Sequence, residues 1–132
     1  MFYSLPNKKR VRKMKQSENE IKAAIMKYLE ANGYSVYRIN NSGVAICGKG
    51  NKAGDKVRYA FHGKKGFPDL VAIKKGKNVV FVETKATGKK PSPEQAGFLE
   101  VAGSCPNTIA IWADNFDKFH YEFLAKTKGV YL

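Results

Sequence analysis

The sequence predicts an α/β protein in which helices and short apolar strands follow one another within a single domain. Three stretches predict this class: an amphipathic helical pattern in residues 17–33, two apolar strands around a basic turn in residues 67–86, and a helix, strand and helix over residues 93–129. The 132 residues, 43% of them hydrophobic, suffice for one sizeable core, and no linker divides them.

The charge balance predicts a polyanionic partner. The chain has 24 Lys and Arg against 11 Asp and Glu, a formal net charge of +13. Nucleic acid is the commonest such partner; solubility or attraction to a membrane surface are the alternatives. No apolar run approaches the roughly 18 residues of a membrane span, so we expect none. Two cysteines are too few for a disulfide scaffold, which favours the reducing cytoplasm.

Residues 1–16 are predicted to form a basic N-terminal arm, and residues 17–132 the single folded domain. The arm contains "NKKRVRKMK", which has no helical period. It either lies along phosphates or is a solvated tail.

The first helix is predicted from a cap signal and an apolar stripe. Ser17 is its N-cap, Glu20 completes a capping box, and Gly33 ends it. At about 100° per residue, Glu18 lies within roughly 60° of Ile21, whereas Glu20 points away. Glu18 is therefore the acidic residue predicted to reach inward. The stripe consists of Ile21, Ala24, Ile25, Tyr28 and Leu29.

A strand is predicted over residues 34–40, and one or two short strands around 44–47 and 57–61. The segment after the first strand is rich in Gly and Lys, with Tyr59 and Phe61 among the basic residues. It forms either a phosphate-contacting surface or the solvated face of an ordinary hairpin. The basic side chains concerned are Lys49, Lys52, Lys56, Arg58, Lys64 and Lys65.

The C-terminal part predicts a helix, a strand and a helix. The first helix covers residues 93–103, with Ser92 as N-cap and Pro93 in its first position. "NTIAIW" predicts a short buried strand, and "DNFDKFHYEFLAKTKG" predicts the last helix. The aromatic residues of this helix either complete the core or supply part of a dimer interface.

The central hairpin carries charges that need an explanation, because charged side chains seldom stand in apolar strands unless something pairs them. With a three-residue loop at 75–77, the strand register places Asp69 opposite Glu83, and the period of two puts Lys85 on the same face as Glu83. A two-residue loop would send Glu83 to the other face. The proposed cluster therefore requires the longer loop.

Two adjacent carboxylates repel each other unless a proton or a cation lies between them. Oxygen ligands at short range suit Mg²⁺ or Mn²⁺, which retain waters and accept phosphate oxygens. Lys85 beside such an ion can orient a water or stabilise charge on a phosphate, so the cluster fits phosphodiester hydrolysis. The alternative is that Asp69 caps a turn after Pro68, while Glu83 and Lys85 form a surface ion pair on an edge strand.

Three segments resemble successive blocks of the VRR-NUC family within the PD-(D/E)xK nuclease superfamily: "SENEIKAAIMKYLEANGYSVYRIN", "GFPDLVAI" and "VFVETKATGKKPSPEQ". The resemblance spans residues 17 to 112. It implies a restriction-endonuclease-like αβββαβ core, a mixed sheet flanked by helices, and metal-dependent DNA cleavage. Small stand-alone members resemble phage-type enzymes that cut branched DNA such as four-way junctions, for which a symmetric homodimer is expected. If phage-encoded, the protein would act in the host cytoplasm.

By matching position, the resemblance implies that Asp69 and Glu83 bind the metal, with the backbone carbonyl of Thr84 as a further ligand. Lys85 would serve the nucleophile. Gln95 either touches metal-bound water or DNA, or is a surface residue of its helix. Glu18 is the first-helix residue whose phase fits the site; Lys22 stands where related nucleases can carry an acidic residue or Gln.

The same resemblance places Arg38 either in contact with DNA or against the acidic residues of the site. The rival interpretations are a non-catalytic nucleic-acid-binding module with the same fold, an RNA-directed nuclease, and a protein whose basic face binds an acidic partner. The full set of predicted DNA contacts is Arg38, Lys49, Lys52, Arg58, Lys64, Lys65, Lys89 and Lys90.

Overall fold

The computed structural model describes residues 15–39, 44–46, 58–60 and 65–128, with the backbone alone for the two short middle segments. The predicted arm up to residue 14 lies outside the described residues, as do Lys49, Lys52, Lys56 and Lys64. The elements are α1 (Glu18–Ala31), β1 (Ser35–Arg38), β2 (Val44–Ile46), β3 (Arg58–Ala60), β4 (Leu70–Ile73), β5 (Val79–Thr84), α2 (Pro93–Ser104), β6 (Thr108–Ala113) and α3 (Phe116–Lys128).

The main sheet has four strands in the order β1-β4-β5-β6. The first three are antiparallel, and β6 runs parallel to β5 after the crossover through α2. The strands β2 and β3 pair separately as an inserted hairpin. Without that insertion and the final helix, the order is αβββαβ, so the predicted α/β fold with a mixed sheet is confirmed.

The β4–β5 hairpin has the register that the sequence predicted. Leu70 pairs with Val82 and Ala72 with Val80, which leaves residues 75–77 as the loop. Gly76 in the loop has a φ of 78°, a conformation that favours glycine. One pair beyond Leu70–Val82, the same register places Asp69 opposite Glu83.

The core lies between one face of the sheet and the helices α1 and α3. Ile21, Ile25 and Leu29 of α1 are fully buried against the strands, as the apolar stripe predicted. Phe119 and Phe123 of α3 are also buried, so the aromatic residues of the last helix mainly complete the core. The buried strand residues of this core are Leu70, Ala72, Val80, Val82, Ile109, Ile111 and Ala113.

The helix α2 covers the other face of the sheet. Phe98 of α2 packs against Phe81 of β5, and Phe67 from the segment before β4 completes the trio, with ring centroids 5.1–5.9 Å apart. These contacts bring the first turn of α2 next to the beginning of β4. Within the described ranges, no helix is long and apolar enough to cross a membrane.

Gly66 joins this segment to α2 so closely that a larger residue does not fit. Its φ is +95°, and a Cβ built there would lie 2.5 Å from the carbonyl oxygen of Glu94. Gly76 has a similar positive φ of +78° but has no atom within 4 Å of a built Cβ. A side chain at Gly76 would therefore cause backbone strain alone, whereas one at Gly66 would cause both strain and steric overlap.

We predict that Gly76→Ala lowers the free energy of unfolding by about 1 kcal/mol, the cost of a side chain at positive φ. Gly66→Ala is expected to cost about 3 kcal/mol, because the overlap with the backbone of Glu94 is added to that strain. Urea unfolding followed by circular dichroism measures both. Equal losses in the two variants would show that α2 does not pack against this segment as described.

Candidate functional site

Glu83 lies at the carboxyl end of β5 and is only 1% exposed, although it is acidic. Its Oε1 accepts a hydrogen bond of 2.9 Å from Nε2 of Gln95 and lies 3.6 Å from Nζ of Lys85. Its Oε2 is buried and has no hydrogen-bond partner among the described residues. A buried carboxylate oxygen without a donor is costly, so this atom needs a proton or a cation.

Asp69 immediately precedes β4 and presents its two oxygens to different partners. Oδ2 accepts hydrogen bonds from the backbone N–H of Thr84 at 3.0 Å and from its hydroxyl at 2.9 Å. Oδ1 lies 3.9 Å from Nζ of Lys22. The family resemblance implied that the backbone carbonyl of Thr84 is a metal ligand. The structure shows a further role for Thr84, because its N–H and hydroxyl hold Asp69 against the end of β5.

The proximity of the two acidic residues changes the protonation of Glu83. Burial raises the pKa of Glu83 from its ordinary value of 4.5 to about 8. The charge of Asp69 adds to this increase, Lys85 opposes it, and the charge of Glu18 raises the pKa further. Glu83 on a central, buried strand also excludes the alternative of a surface ion pair on an edge strand.

Lys85 follows β5 directly and is fixed by the sheet. Its backbone N–H donates to the carbonyl of Ala113 at 2.9 Å, which continues the β5–β6 pairing by one residue. Its side chain is 20% exposed, with the ammonium beside Glu83. The ammonium of Lys85 therefore contacts the buried carboxylate of Glu83 and is also partly accessible to solvent.

Gln95 serves both its own helix and the site. In the first turn of α2, its Oε1 accepts from the backbone N–H of Ser92 at 2.8 Å while its backbone N–H donates to the Ser92 hydroxyl at 3.2 Å. This capping box leaves Nε2 to donate to Glu83. The pattern Ser-x-x-Gln is a known capping signal, so the cap was readable from the sequence. The contact with Glu83 depends on how α2 docks.

Glu18 reaches the cluster mainly through Lys22. Ser17 caps α1 as predicted, its hydroxyl accepting from the N–H of Glu20 and donating to the carboxylate of Glu20. Glu18 remains 43% exposed, and its Oε1 lies 3.9 Å from Nζ of Lys22. Lys22 stands where related nucleases can carry an acidic residue or Gln, and the sequence analysis predicted no role for it. The structure places its ammonium between Glu18 and Asp69.

The predicted DNA-contacting residues that the structure describes are exposed. Arg38 ends β1 beside Leu70 and forms no ion pair with the described acidic residues. Lys65 pairs with Glu94 at 3.4 Å. Lys89 and Lys90 are exposed in the segment that follows Lys85. Only the backbone of Arg58 is described.

The segment after Lys85 is held on two sides. The N–H of Thr87 donates to the carbonyl of Gln16 at 3.3 Å, and the N–H of Gln16 donates to the hydroxyl of Thr87 at 3.0 Å. The N–H of Gly88 donates to Oδ2 of Asp114 at 3.0 Å. These bonds connect the start of the domain and the end of β6 to the loop that carries Lys89 and Lys90.

The donor set suits a hard divalent ion that keeps several waters. Asp69 and Glu83 offer carboxylate oxygens, and the unpartnered Oε2 of Glu83 is the atom that most requires a cation. Across the described part of the chain, no three or more His, Cys, Asp or Glu side chains form a metal-ligand cluster. Two carboxylates plus water are sufficient for Mg²⁺ or Mn²⁺, whereas structural zinc requires four protein ligands.

The raised pKa of Glu83 predicts that the stability of the metal-free protein depends on pH. Between 4.5 and about 8 the folded chain binds a proton that the unfolded chain releases. The resulting stabilisation is complete below the unfolded pKa and is lost as the pH rises through the folded pKa. In EDTA, we expect the free energy of unfolding of the wild type to fall by on the order of 5 kcal/mol more than that of Glu83→Gln between about pH 4 and about pH 9.

Glu100→Gln makes the same chemical change at an exposed position. It is the matched control and should keep the wild-type pH dependence. If Glu83→Gln and the wild type lost stability in parallel over this range, Glu83 would not be the buried titrating group described above.

Comparison with known structures supports the fold. A solved structure described as a VRR_NUC domain superposes with a TM-score of 0.55 and 18% sequence identity, over 84% of this chain and 97% of that chain. No protein-family model and no curated protein matches the sequence. At 18% identity the likeness concerns the fold alone. The chain therefore has the fold of a VRR-NUC domain, as its sequence motifs indicated.

Proposed function

We propose that the protein is a divalent-metal-dependent endonuclease that hydrolyses phosphodiester bonds in DNA. The observation that carries this proposal is the buried Oε2 of Glu83, which lacks a partner among the described residues and lies beside a second carboxylate, Asp69. A cation held by these two residues would relieve their repulsion. The likeness to a VRR_NUC domain supports the choice of a nuclease over other uses of such a site.

Asp69 and Glu83 are the side chains that would hold Mg²⁺ or Mn²⁺, and the backbone carbonyl of Thr84 is the further ligand that the sequence resemblance implies. Bound there, the ion would lower the pKa of a water and neutralise charge on the phosphate. Thr84 keeps Asp69 in place through two hydrogen bonds, and Gln95 orients Glu83 through one. The protein thereby fixes the two acidic side chains before substrate binds.

Lys85 is the residue we assign to the reacting water and phosphate. Its ammonium lies 3.6 Å from Glu83 and is the partly exposed cation of the cluster. From this position it can orient the attacking water and stabilise the negative charge that develops on the phosphate. Its backbone bond to Ala113 holds it in register with the sheet.

DNA is the proposed substrate because of the net charge of +13 and the exposed basic residues on both sides of the cluster. Arg38 ends the strand next to β4, and Lys89 and Lys90 follow Lys85. Such side chains suit contacts with phosphates. A branched substrate such as a four-way junction, cut by a homodimer with one site for each strand, is the finer form of this proposal.

A non-catalytic nucleic-acid-binding module is the second candidate. The two lysines that flank the carboxylates, Lys22 beside Asp69 and Lys85 beside Glu83, offset part of their negative charge without a metal. In this version the same basic surface would bind nucleic acid, and the cluster would only stabilise the fold. The two candidates differ in whether the cluster binds a divalent ion.

Metal binding tests this difference directly. We predict that Mn²⁺, titrated calorimetrically into the metal-free protein, binds the wild type and that Asp69→Ala weakens this binding at least about tenfold, because one of two carboxylate ligands is lost. Asp117→Ala, at an exposed position in α3, should bind as the wild type does. Equal binding by all three proteins, or none by the wild type, would favour the non-catalytic module.

Cleavage assays test the chemistry. Supercoiled, linear and four-way-junction DNA, with matched RNA junctions, are incubated with and without Mg²⁺. We predict Mg²⁺-dependent cleavage of DNA that Lys85→Ala reduces by about 100-fold or more, because the charge beside the reacting phosphate is lost. DNA affinity should change by less than about threefold, since one phosphate contact contributes little to the total.

Lys77→Ala, in the hairpin loop at the opposite end of β5, is the control for the loss of one positive charge and should cleave normally. Undiminished cleavage by Lys85→Ala would remove this residue from the reaction, and preferential cleavage of RNA would change the substrate.

A further inference from the structure

Lys22 is an unusually buried cation at the edge of the carboxylate cluster. Its side chain is 13% exposed, although lysine is among the residues least often buried without a partner. At about 100° per residue it lies within roughly 20° of Leu29, which is fully buried in the core. The fold therefore holds this ammonium in place.

The partners of Lys22 are two carboxylates from different elements. Its Nζ lies 3.9 Å from Oε1 of Glu18, one turn earlier in α1, and 3.9 Å from Oδ1 of Asp69, before β4. The other oxygen of Asp69 already accepts two hydrogen bonds from Thr84. The side of Asp69 that faces Glu18 is thus occupied by a cation that belongs to the chain.

The charges of the cluster set how many ions it can take. Two carboxylates, of Asp69 and Glu83, stand with two ammonium groups, of Lys22 and Lys85, and Glu18 adds a third carboxylate through its ion pair with Lys22. With all five groups ionised their net charge is −1, and one divalent ion would turn it to +1, which suits an incoming phosphodiester. A second divalent ion between Glu18 and Asp69 would meet Lys22 at a distance of a few ångströms, where repulsion in a partly buried site is strong.

We propose that the site binds one divalent ion, held by Asp69 and Glu83, and that the ammonium of Lys22 takes the place of a second ion between Asp69 and Glu18. This inference rests on the proposed function, since it takes Asp69 and Glu83 as metal ligands. It makes Lys22 a positioning residue, which balances the charge of Asp69 and limits the ion count to one.

The test counts Mn²⁺ ions. Electron paramagnetic resonance of free Mn²⁺ gives the number bound to each full-length chain. The wild type should bind one ion, and Lys22→Glu should bind two, because a third carboxylate then stands beside Glu18 and Asp69. Lys27→Glu makes the same change of charge at an exposed position of α1 and should still bind one.

A neutral variant covers the case in which Lys22→Glu does not fold. Lys22→Met keeps most of the buried stem and removes the charge, so the first Mn²⁺ should bind at least about threefold more tightly, because repulsion by the ammonium is gone. If Lys22 only held Asp69 in place, the same variant would bind Mn²⁺ more weakly, and the inference would be wrong.

The ion count separates this inference from the proposed function. Two ions on the wild type would overturn the role of Lys22 and leave a metal-dependent nuclease standing. No ion on the folded wild type would overturn both. A single ion on Lys22→Glu would show that something other than Lys22 limits the count.

Discussion

The register of the β4–β5 hairpin is the constraint on which the site depends. Because the loop has three residues, the pairing that joins Leu70 to Val82 also sets Asp69 opposite Glu83 at the end of the strands. The helices then bury this end, so that Glu83 is 1% exposed and its pKa is raised to about 8. A shift by one residue would turn one carboxylate to the other face and separate the pair.

The helices contribute the side chains that stabilise the two neighbouring carboxylates, Asp69 and Glu83. Gln95 donates to Glu83 from the first turn of α2, and Lys22 lies beside Asp69 from the first turns of α1. Each of these side chains is fixed by its own helix, through a capping box in one case and buried neighbours in the other. The cluster is therefore held by packing on both faces of the sheet, and removing one partner would leave a buried charge without compensation.

Local patterns in the sequence were sufficient for the elements and for the hairpin. Alternating residues and a glycine in a basic turn allowed two loop lengths, and the structure has the three-residue loop, the one that places Asp69 opposite Glu83. The role of Lys22 was not predictable in this way, since helical spacing gives the direction of a side chain but not its partner on a distant strand. The bond from Gln95 to Glu83 likewise requires the docking of α2, which local propensities do not specify.

The central claim is that the hairpin brings two carboxylates together to hold a hard divalent ion. Anomalous diffraction from crystals grown with Mn²⁺ tests it most directly. The account predicts an anomalous peak bonded to both Asp69 and Glu83, about 2.0–2.3 Å from a carboxylate oxygen of each. A well-ordered cluster in which Lys22 and Lys85 contact the two carboxylates and no ion lies near either would contradict it.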